Sequence, residues 1–225
     1  MWLALDTATD RASLAVGRPG EILARETIIG ARNHAGGLLA ALDACLARAG
    51  VAQEAVEGVV LADGPGSFTG LRVGAAAAKA LVRVQPMPLW TAPSLLVCAA
   101  AAAAAEGVIL SVSNALRGEL FAAAYHFRPG MVESILMPTV LAPQDIMARI
   151  PAPSHIVGPA APTLGGNPTW PDAGDLLWLV GLAGGVTRVA DPPRWEPEYG
   201  RPAEAQAQWE RTHGRPLSDP ARPAG

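Results

Sequence analysis

The chain has 225 residues, of which 50% are hydrophobic and 16% charged, and its formal net charge is −3. These values describe a globular chain that can form one large domain or two small lobes, and they argue against a disordered protein. The negative charge also argues against strong direct binding of nucleic acid, which needs clustered cations to displace the counterions of the phosphates.

The apolar stretches predict a cytoplasmic protein without a membrane segment. The longest of them, from Leu95 to Ala105, is too short and too rich in alanine to cross a bilayer. The N-terminus has no basic start and reaches a carboxylate at Asp6, which is not the pattern of a signal peptide. Cys45 and Cys98 lie in apolar stretches, so we expect two buried thiols and no disulfide.

The first half of the chain predicts three strands followed by alternating helices and strands. Apolar runs separated by turn-forming residues predict strands at Trp2–Thr7, Ser13–Val16 and Ile22–Ile29. The next predicted elements are a helix at Ala35–Ala49, a strand at Gly58–Ala62, a helix at Thr69–Arg83, a strand at Met87–Trp90 and a helix at Pro93–Glu106. This order is typical of a ribonuclease-H-like lobe, to which we assign residues 1–106.

The second half begins with the same order of elements. Strands are predicted at Val108–Val112, Glu119–Phe127 and Met131–Met137, and a helix begins at Pro143. We assign residues 107–190 to a smaller second lobe. Residues 191–225 contain seven prolines and little periodicity, which predicts an extended or partly disordered tail with one helical turn at Ala203–Arg211.

A glycine-rich loop, Asp63–Gly70 (DGPGSFTG), separates a predicted strand from a predicted helix. Backbone N–H groups and the positive end of the helix dipole would face whatever lies opposite this loop, so it could hold an anion. No Lys-Ser/Thr pair follows the glycines, and Thr69 occupies the place of the third glycine of a dinucleotide fingerprint. A tight strand-to-helix turn is therefore the alternative interpretation.

The helix after this loop is apolar almost all round, and the preceding helix has a wide apolar stripe. Gly70, Gly74 and Ala78 repeat every four residues, which allows another helix to approach closely. Either a partner protein or the second lobe could cover these faces. The candidate partner-binding residues are His34, Leu38, Leu42, Cys45, Phe68, Gly70, Leu71, Gly74, Ala78 and Lys79.

Several segments together resemble the TsaB (also called YeaZ) family. They are Leu3–Thr9, His34 before an amphipathic helix, Gly64–Gly74, Asn114–Glu119 and, more weakly, Tyr199–Ala205. The resemblance touches both halves of the chain, and its glycine-loop segment is highly specific. It implies an α/β fold of the actin/Hsp70/sugar-kinase-like class, with two ribonuclease-H-like lobes.

The resemblance also implies a function. Members of this family are non-catalytic subunits that pair with a catalytic paralogue, TsaD, beside the ATPase TsaE, and form homodimers when alone. That assembly transfers threonylcarbamoyl to N6 of the adenine 3′ of the anticodon in tRNA. The two helices of the N-terminal lobe make the family's dimer contacts, and this chain would meet tRNA only through the complex. Asn114 stands where the family usually has Asp, and Gln206 where Lys is common.

Catalysis by the chain alone has few candidate residues, and we assign none as catalytic. The four histidines are scattered without a second ligand one helical turn away, so we expect no metal site. Asp6, Thr7 and Thr9 occupy the position of the first phosphate loop of the fold and are candidate nucleotide-binding residues. Asp6 could coordinate water or magnesium, or cap the hairpin turn. Ser67 has no assignable His/Asp pair.

Two hypotheses follow from the sequence. The first is a binding subunit that has no activity until it pairs with TsaD, with no tightly bound cofactor and with ATP or ADP as a candidate ligand at the interface of the complex. The second is an independent enzyme of the same fold, either a small-molecule kinase or a metallopeptidase-like protein.

Overall fold

The computed structural model describes residues 1–30, 34–201 and 212 and contains two β-sheets. The strands of the first sheet are β1 (Trp2–Asp6), β2 (Arg11–Arg18), β3 (Glu21–Ile29), β4 (Gly58–Ala62), β5 (Leu89–Ala92) and β10 (Thr187–Arg188). The strands of the second sheet are β6 (Val108–Asn114), β7 (Leu120–Arg128), β8 (Met131–Leu141) and β9 (His155–Val157). The α-helices are α1 (His34–Ala49), α2 (Phe68–Val84), α3 (Ser94–Ala100), α4 (Pro143–Arg149) and α5 (Ala173–Leu179), and Gln53–Ala55 and Ala161–Leu164 form short 3₁₀ helices.

The first sheet has the strand order β10-β5-β4-β1-β2-β3. Strands β1, β2 and β3 form an antiparallel meander, and β4 and β5 add to it in parallel on the other side of β1. The second sheet, β8-β7-β6-β9, repeats this plan with an antiparallel meander and one parallel strand. The predicted α/β fold with a recurring meander is therefore confirmed.

Both faces of the first sheet are buried at its inner strands β1, β2 and β4, because helices cover each of them. Leu3, Leu5 and Leu14 belong to a core that also contains apolar residues of α1 and α2. Ala4 and Ala15, which alternate with them along the strands, pack into a second core together with residues of α3 and α5. Small side chains on that face allow α5 to lie directly on the sheet, which brings the second half of the chain against the first.

The structure differs from the sequence-based prediction in several elements. The predicted helix Pro93–Glu106 ends at Ala100, since the chain must turn before it enters β6 at Val108. Three further elements, β9, α5 and β10, were not predicted. Their lengths of three, seven and two residues are too short to show a clear hydrophobic period.

The segment that contains α5 and β10 also crosses between the lobes. Helix α5 packs against β1 and β2, and β10 pairs with β5 of the first sheet. Helix α5 and strand β10, which the sequence assigns to the second lobe, thus add to the first one, while Ala183 between them forms backbone hydrogen bonds with Gly130 and Val132 of the second lobe. The cause is tertiary, because nothing local in these residues specifies which sheet they join.

Only part of the predicted tail can be compared with the structure. Residues 191–201 have no helix or strand and run back across α2, where the Glu198 N–H donates to the carbonyl oxygen of Asp63 over 2.8 Å. The predicted turn at Ala203–Arg211 and Gln206 lie outside the described residues. Among the described residues, the helices are too short or too polar to cross a membrane.

Candidate functional site

The glycine loop is fixed to its surroundings by its own backbone. The Gly64 N–H donates to Ser94 Oγ over 3.0 Å, and the Ser94 N–H donates back to the Gly64 carbonyl oxygen over 2.7 Å. The Ser67 N–H donates to the carbonyl oxygen of Ala8 over 2.7 Å. These N–H groups are therefore used within the chain, which favours the interpretation of the loop as a strand-to-helix turn over that of an anion site.

Ser67 is the N-cap of α2. Its Oγ accepts a hydrogen bond from the Gly70 N–H over 3.2 Å, which satisfies one of the free amides of the first helical turn. The side chain is thus placed to begin a helix, and the structure gives no support to a nucleophilic role for it.

We expect Ser67→Ala to lower the free energy of unfolding by about 1 kcal/mol, because the capped amide loses its acceptor. Ser67→Asp keeps an acceptor at the same position and should retain most of the stability. Urea unfolding of the three proteins followed by circular dichroism measures the difference. Equal stability of the alanine variant and the unmodified chain would show that the cap contributes nothing.

The small residues of α2 face the chain itself. A Cβ atom at Gly70 would overlap the carbonyl oxygen of Thr7, and one at Gly74 would overlap the Thr7 hydroxyl. A Cβ at Gly66, in the loop, would overlap the carbonyl oxygen of Ala8. The close approach predicted from the glycine spacing therefore exists, but its partner is the loop between β1 and β2.

Most of the predicted partner-binding residues are buried within this chain. Their side chains, or the Cα atoms of the glycines, pack in the core beneath α1 and α2. They are Leu38, Leu42, Cys45, Gly70, Leu71, Gly74 and Ala78. The periodicity identified the buried faces of two helices correctly, but it could not say that the strands of the same lobe cover them.

The remaining members of that set lie at the surface or outside the description. Phe68 is 38% exposed and packs on the ring of Tyr199 with 4.6 Å between ring centroids. Lys79 Nζ donates to Glu196 Oε1 over 2.8 Å and lies 5.8 Å from the centre of the Trp195 ring. Helix α1 begins at His34, one residue before the predicted start, and the side chain of His34 lies outside the described part of the structure.

Asp6, at the end of β1, is completely buried. Its Oδ1 accepts from the Ala8 N–H over 3.2 Å, while Oδ2 has no hydrogen-bond partner among the described residues. The pKa of this carboxyl is raised to about 8. Burial is the main cause, and the nearby carboxylate of Asp172 contributes to the increase. Of the three candidate nucleotide-binding residues, only Thr9 borders a cavity, because Asp6 and Thr7 lie beneath the surface.

Two half-buried carboxyl groups, those of Asp63 and Asp175, also have raised pKa values. Burial raises the pKa of Asp63 to about 6, opposed by a hydrogen bond from the Thr91 side chain. Burial also raises the pKa of Asp175 to about 6, with a contribution from Asp172.

Burial likewise raises the pKa of the Cys98 thiol well above its ordinary value. Both cysteines are free and buried, which confirms the interpretation made from the sequence.

A cavity of about 420 Å³ lies between the two lobes. The first lobe contributes Thr9, Ser67 and Phe68, the second contributes Ser113, Asn114 and Phe121, and the tail contributes Tyr199 and Arg201. Asn114 Oδ1 accepts from the Leu116 N–H over 2.7 Å, so this departure from the family pattern closes the turn after β6. Among the described residues, no three His, Cys, Asp or Glu side chains are grouped as metal ligands would be.

Apart from Thr9 and Phe68, the residues around this cavity were not assigned to a site from the sequence. Arg201 forms an ion pair with Glu119, which links the tail to the start of β7 in the second lobe. Two segments of the resemblance, Asn114–Glu119 and the weaker Tyr199–Ala205, thus meet at Glu119 and Arg201. The resemblance was the only signal that could have drawn attention to them.

Two α/β lobes with the same meander-based sheet, joined around a cleft, define a protein of the actin/Hsp70/sugar-kinase-like class. A family model described as "TsaD: tRNA N6-adenosine threonylcarbamoyltransferase" matches residues 22–161, more than half of the chain. Together with the relatives described next, this match shows that the chain belongs to the TsaB (YeaZ) branch of that family.

Similar proteins include two named "tRNA threonylcarbamoyladenosine biosynthesis protein TsaB". The one from Bacillus subtilis is 28% identical over 134 residues, which are 60% of this chain and 58% of that protein. The one from Escherichia coli is 28% identical over 181 residues, 79% of this chain and 77% of that protein. The solved structure of YeaZ from Pseudomonas aeruginosa has a TM-score of 0.74 and 25% identity, and the match covers 88% of this chain and 98% of the other.

Proposed function

We propose that this protein is a non-catalytic subunit in the formation of threonylcarbamoyladenosine in tRNA, and that it pairs with a TsaD-like catalytic subunit and activates it. The observation that carries the proposal is the family membership, since its curated relatives are named for this biosynthesis. A TsaE-like ATPase completes the assembly. The net charge of −3 supports contact with tRNA only through the complex.

The outer surface of α1 and α2 supports a protein partner on the first lobe. On α1 the exposed residues Ala40, Ala44 and Ala47 lie on one face, and on α2 Ala76 and Ala80 do the same. Leu39 and Val84, at 66% and 78% exposed, add larger apolar side chains to the two helices. Small exposed residues on neighbouring helices allow helices of a partner to approach closely. We call these seven residues the outer helix face.

The proposed interface therefore lies on the exposed side of α1 and α2, whereas the glycine spacing predicted a contact on the side that faces the chain itself. The residues that face inward hold the lobe together, and those of the outer helix face remain for a partner. For the same reason, Gly74→Trp or Ala78→Trp would damage the fold and would not test pairing. The informative substitutions lie at exposed alanines.

We expect Ala40→Arg and Ala76→Arg each to weaken binding to a TsaD-like subunit by roughly 100-fold. An unpaired guanidinium in a close helix contact would cost about 3 kcal/mol. Ala152→Arg is the control, because Ala152 is exposed but lies in the second lobe, after α4. Co-expression with a TsaD and a TsaE from one host, followed by affinity capture and size-exclusion mass measurement with and without ATP, measures the pairing.

The isolated variants also report on the homodimer. If the outer helix face forms the dimer of the chain alone, both arginine variants should elute at the monomer mass while Ala152→Arg does not. Unchanged capture of TsaD by Ala40→Arg and Ala76→Arg would place the interface elsewhere on the protein.

The independent-enzyme hypothesis makes the opposite prediction for the chain alone. ATP hydrolysis and elemental analysis of the purified chain distinguish the two. Stoichiometric metal or sustained turnover by the chain without TsaD would contradict the role of a non-catalytic subunit. The buried positions of Asp6 and Thr7 behind Ala8 support the subunit, because phosphate-binding groups of a kinase have to reach the cleft.

A further inference from the structure

We propose that the interlobe cavity is a binding site for a small organic anion that has an apolar body and one anionic group. The cavity volume of about 420 Å³ is within the usual range for small-molecule sites. Nothing in the proposed partner role requires such a ligand, and the outer helix face lies on other residues. The proposal can therefore fail while the proposed function stands.

The lining of the cavity determines the charge of the ligand. No carboxylate is among the described residues that line it, while two arginines, Arg117 and Arg201, do so. Arg201 is neutralised by Glu119, whereas Arg117 has neither an ion pair nor a hydrogen bond within the described part of the chain. A free guanidinium at a cavity without carboxylates favours a carboxylate, sulfonate or phosphate group.

The apolar residues that line the cavity determine the uncharged part of the ligand. Phe68, Leu95, Leu116 and Phe121 supply apolar surface from both lobes. Leu116 is 56% exposed although it borders the cavity, so its side chain is not needed for packing within the chain. Apolar surface next to a cation is the pattern that recognises an amphipathic anion.

The turn that carries Leu116 and Arg117 has an unusual backbone. Leu116 and Arg117 have φ angles of 66° and 55°, in the left-handed region that residues with a Cβ adopt at an energetic cost. Both side chains are exposed and neither is held by packing. Strained backbone of this kind concentrates at ligand-binding positions, and here it directs one apolar and one cationic side chain to the same cavity.

Two polar atoms of the lining residues, Ser113 Oγ and Arg201 Nε, have no hydrogen-bond partner among the described residues, but they are inaccessible to solvent. The charge of the ligand is therefore assigned from Arg117 alone. A nucleotide is less well matched, because Asp6 and Thr7, at the position of the first phosphate loop, do not reach the cavity.

Two fluorescent probes that share one body test the proposal on the purified chain. The anion is 8-anilinonaphthalene-1-sulfonate, and its neutral counterpart is N-phenyl-1-naphthylamine. We expect saturable binding of the anion at one site per chain. Arg117→Gln should weaken binding of the anion about tenfold and leave binding of the neutral probe unchanged. Leu116→Ala should weaken binding of both probes to a similar extent.

Arg149→Gln is the matched control, because Arg149 is an exposed arginine of the same lobe that does not line the cavity. It should leave both probes unaffected, and thermal unfolding verifies that all variants are folded. The proposal is overturned if the sulfonate binds Arg117→Gln as tightly as the unmodified chain, or if binding does not saturate at one site. It is also overturned if adenosine monophosphate displaces the neutral probe while the sulfonate does not bind.

Discussion

Replacing Gly70 by alanine is expected to lower the free energy of unfolding by about 3 kcal/mol. The added Cβ would overlap the carbonyl oxygen of Thr7, which belongs to the backbone and cannot rotate away as a side chain could. Either α2 or the end of β1 must move, and overpacking of this kind typically costs 1–3 kcal/mol. Chemical unfolding at one fixed protein concentration measures the loss.

The matched control is Gly36→Ala in α1. A Cβ at Gly36 meets no atom within 4 Å, so the alanine should stabilise the helix by about 0.5–1 kcal/mol. Opposite signs in the two variants would show that contact with the β1–β2 loop, and not helix propensity, requires glycine at position 70. A Gly70→Ala variant as stable as the unmodified chain would contradict the placement of α2 against Thr7.

The second large effect depends on pH. Asp6→Asn is expected to stabilise the chain by about 5 kcal/mol at pH 8.5 and to leave it nearly unchanged at pH 4. The carboxyl of Asp6 has a pKa of about 8 in the folded chain, against an ordinary value of 3.8. Asparagine keeps the acceptor for the Ala8 N–H and carries no charge that burial would penalise.

The direction follows from proton binding. Between pH 3.8 and about 8 the folded chain holds a proton on Asp6 that the unfolded chain has released, so stability is complete below this window and falls as the pH rises through it. Asp63 and Asp175, whose pKa values are raised to about 6, add to the fall in the lower part of the window.

Unfolding curves at several pH values, for the unmodified chain and for Asp6→Asn, measure this slope. Asp43→Asn is the control, because Asp43 is exposed on α1 and the substitution makes the same chemical change away from the buried core. A chain that becomes more stable from pH 5 to pH 8, or an asparagine variant with the same slope as the unmodified chain, would contradict the buried state of Asp6.

Local pattern determined the elements with the strongest periodicity. The order of strands and helices from β1 to α4 was predictable because alternation and helical spacing are properties of neighbouring residues. The resemblance, which depends on the glycine loop and the first strand, gave the fold class and the family. The short elements β9, α5 and β10 were not predicted, since each is specified by the surface on which it packs.

The candidate site shows the same division. The sequence by itself determined that Gly70, Gly74 and Ala78 allow a close approach and that the apolar faces of α1 and α2 must be covered. Only the tertiary structure decided that the chain's own β1–β2 loop and first sheet cover them, and that the tail brings Arg201 to Glu119. The physical reason is that burial satisfies an apolar face equally well whichever surface supplies it, so the sequence of one helix does not identify its partner.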